Sequence, residues 1–326
     1  MDSMLDGSRT FMSAITKTFH LVNTARAGLA LLDAQVGRVV AAGADDRVIE
    51  ALYSMPDGAT GQNLRAHALQ QQQTKDRALA EMWLMVVFAR YESWAESLEI
   101  DHGISNAKRG CQFPLQTSGG PGYLQVFSVL TPDSLMRDIY EASVVADHLW
   151  LRSDGDAQAA LEVYRYYKEV RNSLVHSDGR ANAMLASASS AAQAALGTLR
   201  QNTTLRTGSV PVLAVGDPIE IDLDLVRDVI ALLRRLVFTI DAKILLSTIG
   251  LDEFIGRWRA RYGNQPLNAY ARKLERAPWF QAAVSHALSV PAPVVVGSTT
   301  GATWPAASRR ALVDYGTSNW LLRKLI

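Results

Sequence analysis

The chain has 326 residues and a formal net charge of +1, and its 48% hydrophobic and 20% charged residues are typical of a globular protein rather than a disordered one. Its single cysteine, Cys111, excludes an internal disulfide and a cysteine-rich zinc site, and it favours a reducing compartment. Because the longest apolar run, near residues 82–89, is too short to span a bilayer and residues 1–13 do not have the basic start of a signal peptide, we expect a cytoplasmic protein without membrane segments.

The N-terminal part of the chain is predicted to be helical. Residues 8–42 carry apolar side chains at three- and four-residue spacings, which is the period of an amphipathic helix. Asp45 or Asp46 is placed to cap a short second helix that runs through Leu52. We assign these N-terminal helices to residues 1–75.

A long helical pattern from residue 63 to 98 leads into a segment, residues 101–131, that is rich in glycine and proline. We predict that this segment is a loop with a short strand at residues 123–130. Thr131 as N-cap and Pro132 at the first helical position then begin another helix, which ends before Ser153. The next helices are predicted at residues 157–176, 181–199 and 224–248.

Between the last two of these helices the pattern changes to that of a β-hairpin. Residues 210–215 and 219–223 are β-like, and Gly216-Asp217-Pro218 forms a turn between them. The predicted fold is therefore mainly α, a helical bundle at residues 76–250 with a small β-hairpin insertion, extra N-terminal helices and a basic C-terminal extension.

The C-terminal region, residues 251–326, is basic. It contains ten Lys or Arg and four Asp or Glu, a net charge of +6, whereas the first 250 residues hold 23 basic and 28 acidic residues, a net charge of −5. Such asymmetry is expected where one end of a chain meets a polyanion, and a solvated helical face is the alternative. Interleaved aromatic side chains would add base stacking. The candidate RNA-binding residues are Arg257, Arg259, Arg261, Arg272, Lys273 and Arg276.

The helix predicted at residues 157–176 concentrates more reactive side chains than any other stretch. Asn172 and His176 are one turn apart on its polar side, where Glu169 also lies, whereas Arg171 lies about 140° around the helix from His176. One straight helix therefore does not easily aim Arg171 and His176 at the same atom. Two such helices that meet across a two-fold axis would bring these side chains together, which predicts a homodimer.

The sequence Arg171-Asn172-Ser173-Leu174-Val175-His176 resembles the Arg-Asn-x-x-x-His motif of the HEPN superfamily, and the polar turn after it matches the setting of that motif. The resemblance covers roughly residues 79–248. It implies an all-α bundle and cleavage of RNA without a metal ion or cofactor at a dimer interface. It also implies a toxin or antiphage defence role, in which an antitoxin or another regulatory partner would restrain the enzyme.

Matched onto this chain, the catalytic residues are Arg171, Asn172 and His176. RNA supplies its own nucleophile, the 2′-hydroxyl, so that the enzyme needs only to move protons and stabilise the phosphate. An imidazole exchanges protons near neutral pH, a guanidinium matches the geometry of phosphate oxygens, and an amide orients either partner. In the family an acidic residue of an earlier helix often approaches the motif, and Glu92, together with Glu169, is the supporting candidate.

A structural interpretation of the same residues remains open. A histidine at a helix C-terminus is stabilised by the helix dipole, and Arg171 would serve equally as the ion-pair partner of an acid on another helix. Glu92 would then be one of two exposed acids beside a packed Trp94. The alternative function is accordingly a non-catalytic helical module that binds a nucleotide or a protein partner or that signals. The other histidines do not have metal-ligand spacing, and we expect no metal site.

Overall fold

The computed structural model describes residues 5–53, 63–134, 136–137, 151, 153–202 and 208–262. Within these residues the chain forms ten helices and no strand, so that the predicted mainly α class is confirmed. The helices are α1 (Asp6–Ala41), α2 (Asp46–Tyr53), α3 (Leu64–Ala68), α4 (Gln72–His102), α5 (Ala107–Gly110), α6 (Tyr123–Phe127), α7 (Asp154–His176), α8 (Ala183–Asn202), α9 (Leu223–Leu245) and α10 (Thr248–Tyr262).

Side-chain caps and residues with positive φ set the ends of the helices that carry the site. The Ser153 hydroxyl accepts the Asp156 backbone N–H at 3.0 Å and begins α7, three residues earlier than predicted. This helix ends at His176, as predicted, and Asp178 and Gly179 follow it with φ angles of 47° and 70°. Gly103, with φ 64°, ends α4 in the same left-handed conformation, which glycine adopts without strain.

Aromatic side chains of α4 and α7 form the centre of the main core. Tyr164 on α7 lies between Phe88 and Tyr91 on α4, with ring centroids 5.5 and 5.1 Å apart, and all three side chains are fully buried. The core extends without interruption to α1 and α9, whereas Val36, Ile49 and Ala68 of the N-terminal helices form a separate small cluster. Burial of each large apolar side chain stabilises the fold by about 1.5–3 kcal/mol, so that α4 and α7 are held rigidly against each other.

A buried polar network joins α1, α4 and α9. The Ser8 hydroxyl on α1 donates to Asp241 Oδ1 on α9 at 2.6 Å and accepts the Trp94 Nε1–H from α4 at 2.7 Å. Ser8 and Asp241 are both fully buried, and Trp94 is nearly so. Because a buried polar group is costly unless it is hydrogen-bonded, one hydroxyl fixes the relative register of three helices.

Replacement of Ser8 by alanine is expected to lower the free energy of unfolding by about 1–3 kcal/mol, because the indole N–H and the Asp241 carboxylate each lose a buried partner. Urea denaturation followed by far-ultraviolet circular dichroism measures this change. Ser13→Ala on the same helix is the matched control, since Ser13 is exposed, and its effect should be within about 0.5 kcal/mol. Equal effects of the two substitutions would show that the network does not stabilise the fold.

The predicted β-hairpin at residues 210–223 is not confirmed. The segment from 208 to 222 has no strand, and three of its backbone groups bond to the turn that follows α7. The Ala181 N–H donates to the Asp217 carbonyl, the Gly216 N–H to the Ala181 carbonyl and the Ile219 N–H to the Gly179 carbonyl, at 2.8–2.9 Å. The segment is thus held by hydrogen bonds to residues 179–181 and not by pairing between two strands.

Two further predictions around residues 123–134 need correction. Residues 123–127 form the short helix α6 instead of a strand, because the Gln125 side chain accepts the Gly122 N–H and so caps its first turn. The following helix is capped by Asp133, whose carboxylate accepts the Met136 N–H at 2.8 Å, and not by Thr131. Most of that predicted helix, and the chain after residue 262, lie outside the described residues.

Candidate functional site

The helix α7 divides the motif between its buried and exposed sides. Val170 and Ser173 are fully buried, which turns Arg171 and Asn172 to partly buried positions and leaves His176 exposed in the last turn. This placement follows from the helical period, since the apolar positions before the motif must face α4 and α8.

Arg171 is fixed against α4. Its Nη2 donates to Glu92 Oε1 at 2.8 Å, and its Cζ lies 5.4 Å from the centroid of the Phe88 ring. The Arg171 side chain is 23% exposed, and its Nε is buried without a hydrogen-bond partner in the described part of the chain. The Glu92 carboxylate, which pairs with one nitrogen of the guanidinium, and the Phe88 ring, over which the guanidinium lies, therefore hold Arg171 in one orientation.

Glu92 balances two cations. In addition to Arg171, Lys168 Nζ lies 3.7 Å from Glu92 Oε1, and the three side chains are 21–26% exposed. Lys168 also donates to the side-chain oxygen of Gln112 in the glycine-rich segment. Burial lowers the pKa of Lys168, and the Glu92 carboxylate opposes that shift. We call Glu92, Lys168 and Arg171 the α4–α7 charge cluster.

Asn172 and His176 do not contact each other through a hydrogen bond. Asn172 Nδ2 lies 3.4 Å from Glu169 Oε2, a long hydrogen bond within one turn of α7. In the described part of the chain the His176 side chain has no hydrogen-bond or ion-pair partner. An imidazolium at this position faces the negative end of the helix dipole, and the ring is accessible to a ligand.

The structure brings Arg171 and Glu92 together and leaves His176 apart from both. Arg171 and His176 are five residues apart on a regular helix, which places them about 140° around the axis and about 7.5 Å along it. Of the predicted RNA-binding residues, Arg257, Arg259 and Arg261 lie on α10, with only their backbone described. Arg272, Lys273 and Arg276 lie outside the described residues.

Two residues, Lys168 in the charge cluster and Gln112 beside it, are not among the predicted site residues. Lys168 precedes Arg171 by three residues and so shares its side of α7, a spacing that a search for i, i+3 cations would have found. Gln112 belongs to the irregular segment between α5 and α6, and no sequence pattern indicates its contact with Lys168.

A separate cleft beside α7 is acidic and unsuited to RNA. It has a volume of about 780 Å³ and includes Tyr166 and Tyr167 in its walls. Burial raises the pKa of Tyr166 to about 12 and also raises the pKa of Asp228. The acidic lining residues are Asp76, Glu220, Asp222, Asp224 and Asp228, against the single cation Arg77. Because like charges repel a phosphate backbone, RNA is not expected to enter here.

Within the described part of the chain, no group of three or more His, Cys, Asp or Glu side chains is arranged to hold a metal ion. None of the helices described is long and apolar enough to cross a membrane. Comparisons of the chain with protein-family models, curated proteins and solved structures found no match.

Proposed function

We propose that the protein is a metal-independent endoribonuclease of the HEPN type. The observation that carries this proposal is the arrangement at the end of α7, where a fixed, partly buried Arg171 and an exposed His176 belong to one Arg-Asn-x-x-x-His motif. A preorganised cation and an accessible proton-transfer group are the two requirements of RNA cleavage by its own 2′-hydroxyl.

The reaction assigns a role to each motif residue. A general base removes the 2′-hydroxyl proton, the 2′-oxygen attacks the adjacent phosphorus, and the 5′-oxygen leaves with a proton from a general acid. His176 takes part in this proton transfer, and Arg171 donates to the phosphate oxygens with the N–H groups that Glu92 does not use. Asn172 orients the imidazole or the phosphate. The products are a 2′,3′-cyclic phosphate and a 5′-hydroxyl.

The proposed site is composite, because a single α7 carries Arg171 and His176 on different sides. Two copies related by a two-fold axis would place His176 of one copy beside Arg171 of the other. Val175 supports such a contact, since it is an apolar side chain that remains 55% exposed next to His176. The proposed active form is accordingly a homodimer.

The purified protein is expected to cleave single-stranded RNA in the presence of excess EDTA, because no step of the proposed reaction uses a metal ion. Incubation with a panel of labelled RNAs, followed by mass spectrometry of the fragments, should find 2′,3′-cyclic phosphate ends. Sedimentation equilibrium on the same sample should give twice the chain mass of 35.6 kDa. Cleavage that stops in EDTA would contradict the proposed mechanism, and an active monomer would contradict the composite site.

The second candidate function is a non-catalytic helical module for a nucleotide or a protein partner. It is favoured by the contact of Arg171 with both Glu92 and Phe88, which gives the guanidinium a purely structural role. This candidate predicts that the whole RNA panel stays intact, with or without EDTA. A toxin or antiphage role, and an antitoxin that restrains the enzyme, follow only from the first candidate.

A further inference from the structure

A second cleft, on the opposite face of α4 from the charge cluster, is lined by α1, α4 and α9. Its volume is about 700 Å³, which is within the usual range of small-molecule sites. Trp83 and Glu92 are nine residues apart on α4, so that they point to opposite sides of the helix. This cleft therefore does not share side chains with the Arg-Asn-x-x-x-His motif, and we call it the basic cleft.

The lining of the basic cleft contains cations and no acids. Arg9, Lys17, Arg227 and Arg234 line it, and none of its lining residues is Asp or Glu. Arg9 and Arg227 form ion pairs with an acid three residues away on their own helix, whereas Lys17 and Arg234 have no ion-pair partner in the described part of the chain. The cleft thus presents two uncompensated positive charges on neighbouring helices, α1 and α9.

Two of its lining residues each carry a buried N–H donor without an acceptor in the described part of the chain. These are Arg234 Nε and Trp83 Nε1, neither of which has a hydrogen-bond partner among the described residues. Trp83 is only 1% exposed, and its partner ring Phe19, 5.8 Å away between centroids, is 37% exposed. Buried donors are nearly always paired in folded proteins. One of these donors belongs to the uncompensated cation Arg234 and the other to Trp83, and with Lys17 they indicate that an acceptor with negative charge belongs in this cleft.

We propose that the basic cleft binds a small amphipathic organic anion. Its anionic group is held by Lys17 and Arg234 through charge-assisted hydrogen bonds, and its aromatic or aliphatic body packs on Phe19 and the edge of Trp83. An apolar wall with a few convergent charged groups is the usual composition of a ligand pocket. The proposal is independent of the proposed ribonuclease activity, because it uses other residues on another face of α4.

The probe that tests the proposal is 8-anilino-1-naphthalenesulfonate, an aromatic sulfonate that fluoresces when it leaves water. We expect saturable binding to the full-length protein, and affinity about tenfold to a hundredfold lower for the Lys17→Gln/Arg234→Gln double variant, which removes both charges. Arg38→Gln, an exposed charge on α1 outside the cleft, is the matched control and should leave binding unchanged. Lys17→Glu, at an exposed position, provides the same test if the double variant does not fold.

Competition experiments identify the chemical class of the anion that the cleft binds. Displacement of the probe by adenosine monophosphate assigns the cleft to nucleotides, and displacement by decanoate assigns it to acyl carboxylates. The uncharged analogue dansylamide should bind more weakly than the sulfonate. Unchanged affinity in both charge variants, equal binding of dansylamide, or failure of both competitors contradicts the proposal, whatever the outcome of the RNA cleavage assay.

Discussion

His176→Ala protein is expected to lose RNA cleavage by about a hundredfold to ten-thousandfold while its fold and oligomeric state stay unchanged. The loss has the size of a general acid–base contribution, because the imidazole is the proton-transfer group of the proposed site. The fold should be unaffected because the side chain is exposed in the last turn of α7 and has no partner in the described part of the chain. Single-turnover cleavage of a labelled RNA, beside circular dichroism and sedimentation, measures all three properties.

The chain contains a matched control for this substitution. His102 is also the last residue of a long helix, α4, and it has no place in the proposed site. His102→Ala removes an imidazole from the same dipole environment and should leave the cleavage rate within about twofold of the original. If His176→Ala protein retains the original rate, or if both substitutions reduce the rate equally, the catalytic assignment of His176 is wrong.

The helical elements near the site were predictable because their signals are local. The end of α7 at His176 follows from the polar Ser177-Asp178-Gly179 turn, in which two residues adopt positive φ. The buried face of the helix follows from its apolar period. Neither feature depends on distant parts of the chain, so that both can be predicted from the sequence alone.

Two incorrect predictions have different causes, one a set of distant backbone partners and the other a local side-chain cap. Residues 210–215 are β-like and residues 219–223 alternate as strands do, but the backbone groups around residues 216–219 bond to Gly179 and Ala181, about forty residues earlier. Residues 123–130 contain the β-formers of a strand, but a glutamine cap makes the first turn helical. The β propensity of a short segment therefore does not decide its structure when other hydrogen-bond partners are available.

Some residues of the candidate site were predictable from the sequence, but their geometry was not. The motif and the approach of Glu92 follow from the sequence and its resemblance, but the sharing of one carboxylate by Lys168 and Arg171 depends on how α4 and α7 pack. That packing determines which charges must be balanced. It also makes Glu92, more than either cation, the residue on which the stability of the cluster depends.

Glu92→Ala is expected to lower the free energy of unfolding by about 2–3 kcal/mol, the largest effect of any substitution in the charge cluster. Removal of Glu92 leaves Lys168 and Arg171 as two partly buried cations without a counter-charge, and removal of one partner of a fully buried pair costs about 3–5 kcal/mol. Because these side chains are 21–26% exposed, water screens their charges and the expected loss of unfolding free energy is smaller. Arg171→Ala should cost less, about 1–2 kcal/mol, because Lys168 still neutralises the carboxylate at 3.7 Å.

Glu96→Ala, one turn further along α4, is the matched control for this asymmetry. Glu96 pairs with Lys108 at 3.2 Å, but the two side chains are 53% and 44% exposed, and an exposed ion pair contributes at most about 1 kcal/mol. Urea denaturation of the three variants should therefore rank Glu92→Ala above Arg171→Ala and both above Glu96→Ala. If Glu92→Ala and Glu96→Ala lower the free energy of unfolding equally, the packing of α4 against α7 does not hold the charge cluster in place. Arg171 would then not be preorganised, and the observation that carries the proposed ribonuclease function would be lost.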